Sequence, residues 1–134
     1  MRVLFSVLLV LVLVMMLFAA TPQAGETLRV KVGTNVKAAK SGLNIEFVEL
    51  LDDSRCPKGA TCIWAGEGKI KLSISKPGRK GQSFELVTTE GNNTVSYAGY
   101  ELRLIELTPQ PAVNVRIDRT KYAATFVIGK PGKS

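Results

Sequence analysis

The chain predicts an all-β fold: a small antiparallel sandwich or barrel of about seven strands carrying one short-range disulfide. Three observations predict it. Apolar and polar residues alternate along most of the chain after residue 25, the pattern of half-buried strands. Gly- and Pro-rich clusters separate the alternating runs, as turns do. The only two cysteines, Cys56 and Cys62, lie close together in one loop-like stretch. Periodicity alone does not separate a sandwich from a barrel.

The first segment is of another kind. Residues Val3 to Ala20 are apolar except for Ser6, behind a positive start made by Arg2 and the α-amino group. Small residues follow at Ala19, Ala20, Thr21, Ala24 and Gly25. This order of charged, apolar and small-residue regions predicts a signal peptide over residues 1–24. Its cleavage point is open: a cut after Ala20 leaves Phe18 three positions back, and one after Ala24 leaves Pro22. The apolar run sits at the short edge of the about 20 residues that a spanning helix needs. Contact with a membrane is therefore expected only through this segment, if it is retained. No cysteine stands near its end to carry a lipid.

A single β domain is expected over residues 25–129, with a flexible tail at 130–134. About 110 residues suffice for one domain and not for two. Leu28, Val30 and Val32 alternate with Arg29 and Lys31 in the first run. Leu43, Ile45 and Phe47 share one parity while Val48 and Leu50 take the other. That strand is thus covered on both faces or bulged. Ile70, Leu72 and Ile74 alternate cleanly, as do Phe84 with Leu86 and Leu102 with Leu104. Val113, Val115 and Ile117 predict a further strand, and Tyr122 to Ile128 the last. Residues Val36 to Lys40 have room for one helical turn. Lys76-Pro77-Gly78-Arg79-Lys80-Gly81 and Gly91-Asn92-Asn93 read as turns. Thr108-Pro109-Gln110-Pro111 ends a strand, because proline supplies no ladder donor.

The formal charge is +7, and Arg2 is the only charged residue before Glu26, which leaves +6 on the remainder. Such a charge favours an anionic cell surface, acidic polymers or lipids, and the expected partner is a protein or an anionic envelope polymer. The cations are scattered, with no dense arm, so nucleic acid is not expected. In an exported chain two cysteines form one disulfide most simply. A seven-residue closed loop contributes roughly 2 kcal/mol by constraining the unfolded chain. The spacing is not the C-x-x-C of a redox site, and two cysteines without histidine make a poor zinc site.

The flanks of that loop hold the candidate functional residues: Asp53, Arg55, Trp64 and Glu67. Asp53 is placed to accept loop amides or to pair with Arg55. Together with Asp52, Asp53 and Glu67 also bring carboxylates to both sides of the loop, although their spacing matches no calcium loop. Trp64 has two readings, a stacking surface for a ligand or partner and a plug over the disulfide. Arg55 beside a disulfide also fits an anchor presented to a trypsin-like protease, since a rigid loop loses little entropy on binding. Catalysis is not expected. The sequence has no histidine, which removes the usual general base and the His-dependent triads. No phosphate-binding glycine motif, cofactor motif or metal set is present.

The run Asp53-Ser54-Arg55-Cys56-Pro57, followed by Cys62-Ile63-Trp64-Ala65-Gly66-Glu67, resembles the signature of a group of small exported bacterial proteins of unknown function. Tyr100 to Leu104, the Thr108–Pro111 turn and the Tyr122–Val127 stretch continue the resemblance. It implies a secreted or periplasmic β domain and brings no active site. Some members of the group are lipid-attached, a point on which this chain departs, having no cysteine placed for a lipid. The expectation is an exported binding or adhesion module that uses loop 53–67. The alternative is a structural, envelope-associated domain without a ligand, and a lesser one is a protease inhibitor presenting Arg55.

Overall fold

A computed structural model describes residues 1–16 and 25–131. The residues flanking the expected cleavage point, and the tail at 132–134, lie outside the described residues. The chain begins with an apolar helix, α1 (Arg2–Met16). Among the described residues no helix is long and apolar enough to cross a membrane.

Eight strands follow: β1 (Glu26–Lys31), β2 (Asn35–Lys37), β3 (Asn44–Asp53), β4 (Gly68–Lys76), β5 (Arg79–Val87), β6 (Thr94–Tyr97), β7 (Tyr100–Thr108) and β8 (Ala123–Gly129). They form two four-stranded antiparallel sheets, ordered β1-β8-β7-β6 and β2-β3-β4-β5. The sheets pack as a sandwich and do not close into a barrel. The chain crosses between them after β1, where the Val32 amide donates to the Tyr122 carbonyl and the Gly33 amide to that of Phe47. It returns to the first sheet after β5, and β8 then inserts between β1 and β7.

The alternation seen in the sequence builds the core. Val30, Ile45, Phe47, Ile70, Leu72, Ile74, Leu86, Leu102, Leu104, Phe126 and Ile128 are buried between the sheets. The mixed parity of β3 is resolved by a bulge. Its register against β4 shifts between Phe47 and Glu49, and Leu50 returns to the buried face. A second bulge in β7, between Leu104 and Glu106, does the same for Leu107. An extra residue bends its strand and re-aims the side chains beyond it, and both bulges lie just before the end of the sandwich that carries the disulfide loop. No residue of α1 belongs to the core cluster. Among the described residues, the core cluster, both sheets and the disulfide therefore all lie from residue 25 onward.

Three expectations are corrected. Residues 113–117 form no strand: Asn114 adopts a left-handed φ of 61° and the Val115 amide turns back to the Ala112 carbonyl. Val113 and Val115 are exposed, and the segment ends in one 3₁₀ turn, Arg119–Lys121, capped by Asp118. The short strands β2 and β6 are additional to those expected. The Tyr97–Tyr100 turn joins β6 to β7, with Ala98 and Gly99 both at positive φ, the requirement of a tight type I′ hairpin. The helical turn expected near Val36 is displaced: a single turn closes through the Gly42 amide on the Ala38 carbonyl.

Candidate functional site

Loop 53–67 prolongs the β3–β4 hairpin beyond its sheet. Opposite Asp53 stands Gly68; farther out, the Ser54 amide donates to the Glu67 carbonyl at 2.8 Å and the Cys56 amide to that of Ala65 at 2.8 Å. The Ser54 hydroxyl both donates to the Glu67 carbonyl and accepts from its amide. These bonds hold two backbone legs together. Gly66 makes their approach possible, because it has a φ of +64° and a Cβ there would collide with the Ser54 carbonyl. The Cys56–Cys62 disulfide closes the tip. From the side, the Lys58 amide donates to the Pro111 carbonyl at 2.7 Å, and the Val113 amide returns to that of Lys58.

The four residues singled out from the sequence divide between the root and the tip. At the root, Arg55 Nε and Nη2 donate to the two carboxylate oxygens of Asp53 at 2.7 and 2.8 Å. Arg55 Nη1 donates to the Leu107 carbonyl at 2.6 Å and Nη2 to the Pro109 carbonyl at 2.9 Å. The Tyr122 hydroxyl donates to Asp53 at 2.8 Å. The Asp53 and Arg55 side chains are only 8% and 9% exposed. This cluster joins the end of β3, the segment after β7 and the residue before β8. The proline-terminated stretch supplies the acceptors, since Leu107 and Pro109 turn their carbonyls toward the guanidinium. A planar fork of donors suits that task, and a lysine ammonium does not.

The cluster sets its own protonation. Burial by itself would raise the Asp53 carboxyl, but hydrogen bonds from Arg55 and Tyr122 and the guanidinium charge together hold it below the ordinary range. Tyr122 is pushed up to about 12, by burial first and then by its bond to the Asp53 carboxylate. The inhibitor reading needs Arg55 to project. Here its guanidinium is turned into the domain, and a protease has no free anchor to grasp.

Glu67 lies at the root as well. Its carboxylate accepts from the Thr89 hydroxyl at 3.3 Å, away from Asp53. The carboxylates of Asp52, Asp53 and Glu67 are not gathered, and among the described residues no group of three or more His, Cys, Asp or Glu is placed to hold a metal ion.

The tip is the opposite case. Ile63 is 96% exposed and Trp64 81% exposed. Trp64 thus does not plug the disulfide or the end of the sandwich. Two adjacent large apolar side chains stand in solvent on a loop whose backbone is tied on both legs and from one side. Ile63 was not singled out in the sequence, where it stands only as the residue between Cys62 and Trp64. Tyr122 and the carbonyl acceptors of the root were also missed, because nothing near them in the sequence announces partners 69, 52 and 54 positions away.

The domain carries two shallow clefts, of which only the first borders the root. One, of about 210 Å³, is lined by Arg55, Thr88, Glu106 and Gln110 among others. The other, of about 250 Å³, lies between Val32, Leu50 and Arg119. Both are smaller than the roughly 300–1,000 Å³ of ordinary small-molecule sites. The disulfide suggests a non-cytoplasmic or otherwise oxidising environment. Compared with protein-family models, curated proteins and solved structures, the chain matches none.

Proposed function

We propose that this chain is an exported, non-catalytic binding or adhesion module whose contact surface is the Ile63–Trp64 tip of the disulfide loop. One observation carries the reading: two contiguous large apolar residues, 96% and 81% exposed, on a loop cross-linked at its tip. Exposed apolar surface without a packing role marks interaction sites, and tryptophan is prominent among residues that carry binding energy. Bracing of the loop by its disulfide and backbone bonds lowers the entropy lost on contact. Export to a secreted or periplasmic location is supported by the Arg2-led apolar N-terminus and by the disulfide. The absence of histidine from the sequence supports a role other than acid–base catalysis.

The envelope-scaffold alternative also has an observation in its favour. Asp53 and Arg55 satisfy each other inside the domain, so the root of the signature serves the fold. The two readings therefore concern different halves of one loop. Capture from native envelope and culture-medium extracts tests the binding half. Wild-type protein is expected to retain a specific protein or polymer that a folded Trp64→Ala variant loses. Equal retention by both would remove the tip from the contact surface.

A further inference from the structure

We infer that the partner of the tip is an anionic lipid bilayer, with Ile63 and Trp64 entering its interfacial layer while Lys58 and Arg116 meet the headgroups. The inference rests on reading the tip as the binding face and names its occupant. It departs from the sequence-based expectation, in which membrane contact came only through the N-terminal segment.

The shape of the tip is the first argument. Ile63 and Trp64 directly follow the disulfide on the returning leg of the loop, almost wholly in solvent. An exposed apolar pair of this kind suits a partner that supplies depth without a preformed groove. The interfacial region of a bilayer does so, and the amphipathic ring of tryptophan settles at headgroup level.

Charge is the second argument. The chain carries +6 beyond residue 25, and two of its exposed cations stand on the segments that build this end. Lys58 lies in the loop itself. Arg116 lies on the segment joined to the loop by the Lys58–Ala112 bridge. The only ion pair among the described residues is Asp53–Arg55, so neither cation is neutralised by a described carboxylate. Of the acidic residues on these segments, Glu67 accepts from the Thr89 hydroxyl, while Asp118 is exposed and one of its oxygens accepts from the Thr120 amide and hydroxyl.

The neighbouring segment extends the apolar surface. Val113 and Val115 are exposed on it, and Val113 lies 3.9 Å from where a Cβ on Gly59 would stand. Apolar and basic side chains thus share one end of the sandwich. Either contribution alone gives marginal membrane binding, while an apolar insertion combined with basic contacts gives stable attachment.

Trp64 is the only tryptophan, so its emission reports on the tip directly. The domain from residue 25 onward, its far-ultraviolet dichroism and unfolding midpoint first matched to those of the full chain, is titrated with vesicles of phosphatidylglycerol and phosphatidylethanolamine. Phosphatidylcholine vesicles serve as the neutral comparison. On the anionic vesicles the emission is expected to shift to the blue and to be quenched by acyl-brominated lipid. Partitioning is expected to fall at least tenfold on phosphatidylcholine. A Lys58→Ala/Arg116→Ala variant is expected to bind roughly 25-fold less, at roughly fivefold for each cation near an anionic surface. Ile63→Ser keeps the fluorophore and should weaken insertion, with the unfolding midpoint showing that the fold is intact. Unchanged emission on anionic vesicles would overturn the bilayer inference, as would binding that Ile63→Ser leaves untouched. Failure with vesicles alongside Trp64-dependent capture of a protein or glycan from extracts would overturn this inference alone. Failure of both would overturn the binding face as well.

Discussion

Asp53 and Arg55, two positions apart at the close of β3, meet in a two-bond fork whose guanidinium also reaches across to the Leu107 carbonyl near the end of β7 and the Pro109 carbonyl just beyond it. The strand that contains Leu107 and the hairpin that Arg55 prolongs belong to different sheets. The fork is thus a tie between the two layers at the end where the disulfide loop emerges. Removing one partner of a buried pair leaves the other charge uncompensated, at a cost of about 3–5 kcal/mol. Arg55→Ala is therefore expected to lower stability by about 3 kcal/mol, measured by urea unfolding. Arg55→Lys should recover little of it, because an ammonium cannot span the same acceptors. A midpoint within error of wild type for Arg55→Ala would show that the tie contributes nothing.

The same cluster predicts how stability depends on pH at both extremes. The Asp53 carboxyl is held below its ordinary value of 3.8. Its contribution is therefore present above that value and is lost as pH falls through the lower folded one. Tyr122 is raised from 10.0 to about 12, so its contribution is complete below 10 and is lost as pH climbs toward 12. Unfolding free energy should decline in both windows. In Asp53→Asn the acid decline should be shallower, and in Tyr122→Phe the alkaline one. Parallel curves for wild type and variants would remove the cluster from the titration.

The strands were legible because burial on one face imposes a period of two, and Ile70, Leu72 and Ile74 obey it without exception. Leu50 was legible only as a conflict, since a bulge changes phase at a point no alternation can mark. Val113, Val115 and Ile117 imitated a strand. The pattern records side-chain type, whereas Asn114 in a left-handed conformation decides the path of the backbone there. For the site, the two-residue spacing of Asp53 and Arg55 was readable as a pair. The exposure of Trp64 was not, because tryptophan beside a disulfide has the same sequence whether it faces inward or outward.

Tip and core respond differently to truncation. Trp64→Ala and Ile63→Ser remove side chains that pack on little, and surface changes of this kind stay within about 0.5 kcal/mol. Phe47→Ala, at a fully buried position of β3, is expected to cost about 3–5 kcal/mol. Thermal unfolding of the three variants checks the contrast. A loss of more than about 1.5 kcal/mol for Trp64→Ala would return the tryptophan to the scaffold.

The disulfide closes a loop of sequence separation 6 that lies outside both sheets. A Cys56→Ala/Cys62→Ala variant is expected to lose about 2 kcal/mol while keeping its far-ultraviolet dichroism. The legs of the loop stay joined through Ser54 and Glu67, so proteolytic nicking should be confined to the tip, between Pro57 and Trp64. Cleavage within β3 or β4 instead would show that the cross-link holds the sandwich and not the tip.

Gly66 provides the sharpest test of how the tip is held. Its φ of +64° disfavours any residue with a side chain, and a Cβ would enter the space of the Ser54 carbonyl on the facing leg. Strain of this kind costs of order 1–3 kcal/mol. Gly66→Ala can relieve it only by parting the legs, which breaks the Ser54–Glu67 and Cys56–Ala65 backbone bonds. The expected result is a loss of about 2 kcal/mol together with faster amide exchange at Ser54 and Cys56, while exchange in β4 is unchanged. A variant of wild-type stability that retained protection at Ser54 would mean that the legs tolerate a wider spacing. The close backbone approach would then not be what positions Trp64.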